Sequence, residues 1–175
     1  MNQDLKIIHN SDVKVSILKN FNIGILGYGN QGKAQALNLK DRGLNVKVGL
    51  RNGSKSLNDA LQDGLECDSI ENTVLWADII CFLVSDKEMP NMYNQRVKSN
   101  LSEGKTLLFS HGFNVHYKLI KMPTNVNVIM VAPSGGGAVV RKEFLNNSGV
   151  PSLIAIEQNY SGNAFDIAKA YSKAL

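Results

Sequence analysis

Gly27, Gly29 and Gly32 stand in a Gly-x-Gly-x-x-Gly spacing directly after the apolar run Phe21–Leu26. Between a strand and a helix each has its own task. Gly27 permits the tight turn, Gly29 lets a pyrophosphate approach the backbone with no Cβ in the way, and Gly32 lets the helix lie close on the strand. The N–H groups of Asn30 and Gln31, at the positive end of the helix dipole, then point at the phosphates. The bland alternative is a glycine-rich turn with no ligand. About 20 residues past such glycines an NAD site carries Asp or Glu to bond the ribose hydroxyls. This chain has Gly49, followed by Leu50-Arg51-Asn52-Gly53-Ser54-Lys55-Ser56. An acid would repel a 2′-phosphate, whereas Arg51 can pair with one bidentately, Lys55 adds charge, and Ser54 and Ser56 add hydroxyl donors. The pattern points to NADP over NAD, against a basic, solvated loop as the alternative.

His111 follows the apolar run Thr106–Phe109. Open α/β folds place ligands outside the carboxyl ends of their strands, so Ser110-His111-Gly112 is a site candidate. By spacing alone a helix-capping or core histidine is as good a reading. His116, on the helix expected next, and His9 read as structural. Asp59 and Asp63 share a helix face and could hold a metal or do acid–base work, but on an exposed helix such acids are usually solvated. Cys67 and Cys81 match no metal spacing, and Cys81, inside the run Ile79–Val84, reads as a buried thiol.

The elements that must position these groups alternate. Phe21–Leu26 and Ile79–Val84 read as buried strands, Val46–Leu50 as the second strand, Thr106–Phe109 and Val126–Val131 as further apolar strands, and Ser152–Ile156 as the last. Asn30–Arg42, Ser54–Asp63, Glu71–Ala77 and Lys87–Val97 read as helices, with Pro90 near the start of the last. Such alternation predicts an α/β fold of the Rossmann type, a doubly wound, mainly parallel sheet with helices on both faces. No linker divides residues 1–175, which read as a single dinucleotide-binding domain. Pro133–Gly137 reads as a loop before a basic helical stretch. Ser161 is the expected N-cap of a final helix whose Phe165, Ala168, Tyr171 and Leu175 share a face. That helix ends on an apolar residue without Gly or Asn, which reads as a point where polypeptide once followed.

The totals exclude several classes. The net charge of +4 comes from scattered lysines with no run of four, so nucleic acid is not an expected partner. No apolar run approaches the ~20 residues of a membrane span, and the first 18 residues lack the order of a signal peptide. A reducing cytoplasm fits the two isolated cysteines.

Taken together, Ile25-Leu26-Gly27-Tyr28-Gly29-Asn30-Gln31-Gly32, Ala36–Asp41, Val48–Ser56, His111-Gly112-Phe113-Asn114-Val115-His116 and Val128-Ile129-Met130-Val131-Ala132-Pro133 resemble the N-terminal domain of ketol-acid reductoisomerase, also called acetohydroxyacid isomeroreductase. The resemblance covers nearly the whole chain. It implies an oxidoreductase of branched-chain amino-acid synthesis (valine, leucine and isoleucine) that converts acetohydroxy acids to 2,3-dihydroxy acids, using two Mg²⁺ ions for an alkyl migration and NADPH for the reduction. It implies cofactor contacts at Gly27, Tyr28, Gly29, Asn30, Gln31, Gly32, Arg51, Ser54, Ser56, Asp86, Lys87, Glu88, Met89 and Gly137, and an active-site histidine at His111. The metal-binding carboxylates of the family lie in a C-terminal helical domain that this sequence does not reach, so no metal ligand is expected here and the chain alone is expected to be inactive. The chain departs from the family at Ser134, where the resemblance implies lysine, and at Gly136 and Ala138, where it implies Pro and His. The other class of reading is therefore a related NADP-binding or sensor module without isomeroreductase activity. Self-association into a homo-oligomer is left open.

Overall fold

The computed structural model describes residues 6–175. Seven strands form one sheet: β1 (Asn22–Leu26), β2 (Asn45–Leu50), β3 (Glu66–Ser69), β4 (Ile79–Phe82), β5 (Thr106–Phe109), β6 (Asn127–Pro133) and β7 (Ser152–Gln158), in the order β3-β2-β1-β4-β5-β6-β7. All neighbours are parallel except β7, which runs antiparallel to β6. The order reverses between β1 and β4. Doubly wound sheets open a crevice at such a point, outside the strands' carboxyl ends.

Alternation along the strands sorts their side chains to two cores. Ile23, Ile25, Cys81, Leu108 and Ile129 face one side, packed under helices α1 (Asn30–Asp41) and α7 (Ala164–Ala174). Leu26, Ile80, Phe82, Leu107 and Val128 face the other, under α3 (Ile70–Trp76) and the segment from α4 (Met89–Met92) through a π-type turn, Tyr93–Val97. Burial on both faces is what a parallel strand needs. The short helices α2 (Leu57–Gln62) and α5 (Phe113–His116) and the longer α6 (Gly137–Leu145) complete the chain.

Six strands and the main helices fall where the sequence places them, and Cys81 is buried. The structure also differs at several points. Strand β3, Glu-Cys-Asp-Ser, carries no apolar pattern and escapes a reading by periodicity; it exists because β2 offers it an edge to pair with. Strand β7, at the edge of the sheet, alternates between half-buried and exposed residues. The N-cap of α7 is Asn163 and not Ser161, whose hydroxyl instead donates to Asn163 Oδ1 at 2.6 Å. Phe165 lies off the buried face of α7 and is stacked under the Lys169 ammonium. The last carbonyls of α7 are not bare: Asn38 Nδ2 donates to that of Leu175 (2.6 Å) and Arg42 Nε to that of Ala174 (3.4 Å). Donors from another helix replace the local cap that sequence looks for.

Candidate functional site

The crevice beyond β1 and β4 is built from the glycine loop. Gly27 has φ +99°, and a Cβ on it would lie 2.8 Å from Val84 Cγ1 and 2.9 Å from the Leu83 carbonyl oxygen. A Cβ on Gly32 would lie 2.3 Å from the Gly27 carbonyl oxygen. Helix α1 can therefore start this close to the strand only with hydrogen at that position. A Cβ on Gly29 meets nothing within 4 Å. The helix ladder begins with Lys33 N–H donating to the Gly29 carbonyl at 2.8 Å, and no side chain caps the helix. The N–H groups of Asn30, Gln31 and Gly32 are thus left over by helix geometry beside Gly29, which of the three motif glycines is the one with open space beside it. Their fit to a phosphate group rests on that geometry.

The N-terminus of α6 abuts that of α1. A Cβ on Gly137 would stand only 1.9 Å from the Asn30 carbonyl oxygen. Gly137 is buried and serves this helix contact; it has no side chain to offer a ligand. Gln31 ties the same two segments, donating from Nε2 to the Gly135 carbonyl at 2.8 Å. Behind it the fully buried Gln35 donates to Gln31 Oε1 (3.0 Å) and to Ser110 Oγ (3.2 Å), and accepts from the Tyr171 hydroxyl (2.9 Å). One buried amide thus joins the glycine loop, the Pro133–Gly137 loop and the residue beside His111. Nothing in the sequence distinguishes Gln35 from a solvated glutamine, because its burial is a tertiary fact.

Arg51, Ser54, Lys55 and Ser56 lie together after β2, in a loop closed by Ser54 N–H to the Arg51 carbonyl (3.1 Å) and Leu57 N–H to the Ser54 carbonyl (3.2 Å). Arg51 and Lys55 are exposed. Ser54 Oγ accepts from Ser56 N–H at 3.4 Å, which leaves its own hydrogen free to donate outward. The reading of Gly49 needs revision. A Cβ there would sit 2.7 Å from Leu26 Cδ2 and 3.0 Å from Thr73 Cβ. Any side chain at that position would have to displace Leu26 and Thr73 whatever the cofactor, so the basic loop carries the argument about the 2′-phosphate.

Tyr28 is 6% exposed and turned away from the crevice; its hydroxyl donates to Asp63 Oδ2 at 2.7 Å. Lys33 Nζ lies 2.7 Å from the same oxygen. Asp63 is therefore engaged, not solvated, while Asp59 stays exposed. The bonds from Lys33 and Tyr28 hold the Asp63 carboxyl below its usual range, and burial followed by Asp63 itself pushes the Tyr28 phenol up.

His111 stands at the carboxyl end of β5 with its side chain 70% exposed, so it is not a core histidine. Its Nδ1 accepts the Phe113 N–H at 3.3 Å, at the start of α5, and lies 3.5 Å from Asp86 Oδ2. Of the two structural alternatives, the capping one holds in part, since the ring touches a helix start, and the core one does not. With Nδ1 accepting, the neutral ring carries its proton on Nε2, which is then the group able to donate. Asp86 is fixed by the fully buried Asn114, whose Nδ2 donates to its carboxylate and its carbonyl, both at 3.1 Å. Of its neighbours, Lys87 and Glu88 are exposed, and Glu88 Oε2 accepts from Ser85 Oγ at 3.2 Å. Met89 is packed in the core and can offer a ligand only its backbone. His116 and His9 are exposed and belong to neither core; the His116 ring stands edge-on to Tyr117 with centroids 4.8 Å apart. Among the described residues no three of His, Cys, Asp and Glu converge as they would around a metal ion. No helix among them is long and apolar enough to cross a membrane.

The family model for acetohydroxy acid isomeroreductase, NADPH-binding domain, matches residues 17–175. A ketol-acid reductoisomerase (NADP(+)) of Methanocaldococcus jannaschii is 46% identical over 171 residues, covering 98% of this chain and 52% of the relative. One from Pyrobaculum arsenaticum is 46% identical over 170 residues, covering 97% and 52%. The chain thus spans about half the length of these relatives. Among solved structures, an NADH-preferring ketol-acid reductoisomerase from an uncultured archaeon superposes with a TM-score of 0.94 at 42% identity, over 97% of this chain and 53% of that one. A semialdehyde dehydrogenase NAD-binding protein from Cupriavidus necator, at TM-score 0.73 and 19% identity over 88% of this chain and 59% of that one, shares the fold alone. With the family model matched over most of its length and relatives of 46% identity, the chain belongs to the acetohydroxy acid isomeroreductase family, as the family's NADPH-binding domain.

Proposed function

We propose that this chain holds NADPH for a ketol-acid reductoisomerase, and that it prefers NADPH to NADH. The observation that carries the reading is the open space at Gly29 over three leftover N–H groups, with the Arg51–Ser56 loop beside it. The cradle residues would take the pyrophosphate, and Arg51, Ser54 and Ser56 the 2′-phosphate. The bound cofactor supplies a hydride. His111 would orient or protonate an oxygen of an acetohydroxy-acid substrate, and Asn114 holds Asp86 beside the histidine. Asp86, Lys87, Glu88 and the Met89 backbone would border the cofactor at the carboxyl end of β4. No step through a metal follows from the residues present. The product class, 2,3-dihydroxy acids of branched-chain amino-acid synthesis, and a cytoplasmic setting belong to the same reading.

A solved relative is named as NADH-preferring, so family membership leaves the preference to local residues. A charge-assisted contact contributes about 1.5–3 kcal/mol. Arg51 is exposed and screened, so the lower end applies, about tenfold in affinity. Fluorescence titration with both cofactors tests this. NADPH should bind about tenfold tighter, and Arg51→Asp should erase the difference. Equal affinities in the unaltered chain would overturn the preference.

A further inference from the structure

Helix α2 is poorly anchored by apolar contact. Of its six residues only Ala60 is buried, and Leu57 and Leu61 are exposed. Its first residue ends the Arg51–Ser56 loop, so whatever fixes α2 also fixes that loop. At the far end, the C-cap residue Asp63 takes three bonds from the glycine loop and α1. The Tyr28 hydroxyl (2.7 Å) and Lys33 Nζ (2.7 Å) reach its carboxylate, and Lys40 Nζ donates to its carbonyl (2.8 Å). Tyr28 lies between Gly27 and Gly29, and Lys33 closes the first turn of α1 on the Gly29 carbonyl. The loop and the cradle are thus joined at two points: at the sheet, where Gly27 N–H donates to the Gly49 carbonyl (3.1 Å), and at Asp63.

We propose that Asp63, through Tyr28 and Lys33, is a positioning residue for cofactor discrimination: it clasps α2 to the glycine loop and so sets the reach of the 2′-phosphate loop from the pyrophosphate cradle. The proposal rests on the reading that Arg51, Ser54 and Ser56 receive the 2′-phosphate. The two fail differently. Charge and geometry also predict opposite signs. Removing the Asp63 charge should by electrostatics alone favour the more anionic cofactor, NADPH. Loss of the clasp should disfavour it, because only NADPH uses the loop.

The test measures Kd for NADPH and for NADH in the unaltered chain, Asp63→Asn, Tyr28→Phe and Arg51→Asp. Tyr28→Phe removes one oxygen, keeps the ring in the core and changes no charge. Circular dichroism establishes that each variant is folded. The clasp predicts that Asp63→Asn and Tyr28→Phe each lower the NADPH-to-NADH affinity ratio by about three- to tenfold, at most the worth of one contact. An unchanged or raised ratio in the two clasp variants, with the ratio abolished in Arg51→Asp, overturns the clasp and leaves the loop reading standing. A ratio that Arg51→Asp does not alter overturns the loop reading, and the clasp with it.

Discussion

Replacing Gly29 with valine should separate folding from cofactor binding. The backbone at Gly29 is extended, φ −86° and ψ −160°, a conformation open to any L-residue. A Cβ there meets no protein atom within 4 Å. Valine is a poorer N-cap than glycine, by up to about 1 kcal/mol, and restricting the unfolded chain returns about 0.4–1 kcal/mol. The two nearly cancel, so Tm should move by less than about 4 °C for a chain of this size. Binding is a different matter. The isopropyl group would stand over the N–H groups of Asn30 and Gln31. Two bonds to a charged phosphate, at about 1.5–3 kcal/mol each, give a loss of about 3–6 kcal/mol, or 10²- to 10⁴-fold in Kd. Thermal melts by circular dichroism and isothermal titration with NADPH measure both. Undiminished affinity in the folded variant would refute the cradle. A fall in Tm of more than about 10 °C would refute the claim that the space beside Gly29 is free of protein.

Gly137→Ala should behave in the opposite way. Its methyl must displace the Asn30 carbonyl, 1.9 Å away, so the variant should lose about 1–3 kcal/mol of stability and bind NADPH more weakly, as urea melts and titration would show. Lys105→Met should also destabilise, by about 1–3 kcal/mol, because the buried Lys105 ammonium donates to the Leu75 carbonyl (3.1 Å) and to that of Ala77 at the end of α3. Burial, opposed by Asp78, lowers the Lys105 pKa below its ordinary 10.5. Between the folded value and 10.5 the unfolded chain binds more protons, so this group's contribution to stability rises with pH there; Tm against pH should lose that rise in Lys105→Met. The 175-residue chain mixed with acetolactate, NADPH and excess Mg²⁺ should show no substrate-dependent NADPH oxidation, and turnover at an ordinary enzymatic rate, on the order of 1–10³ per second, would contradict this.

The readings that held are those in which one local feature suffices. Ile79–Phe82 and Leu107–Phe109 are apolar without a break, so they are strand segments buried on both faces wherever the sheet puts them. Gly27 and Gly32 each answer a backbone requirement that no other residue type meets as well, Gly27 by its positive φ and Gly32 by its contact with the Gly27 carbonyl. The readings that failed depend on what lies opposite. Glu66–Ser69 is a strand only because β2 has a free edge, and Asp63 is bonded only because Tyr28 and Lys33 face it. A side chain at Gly49 would have to displace Leu26 and Thr73, a matter of packing that the linear pattern had represented as one of cofactor charge.

By itself the sequence determined the alternation of strands and helices, the glycine loop at the switch point, the basic loop after the second strand and the family to which these belong, because each is a short-range pattern of residue type. Only the tertiary structure decided which way side chains face and what they meet. It turned Tyr28 from the crevice to Asp63, buried Gln35 and Asn114 as joints between segments far apart in the chain, and seated Gly137 against Asn30. Buried polar groups must find partners, and the long-range ones lie 28 to 136 positions away, a distance over which residue type alone carries no information.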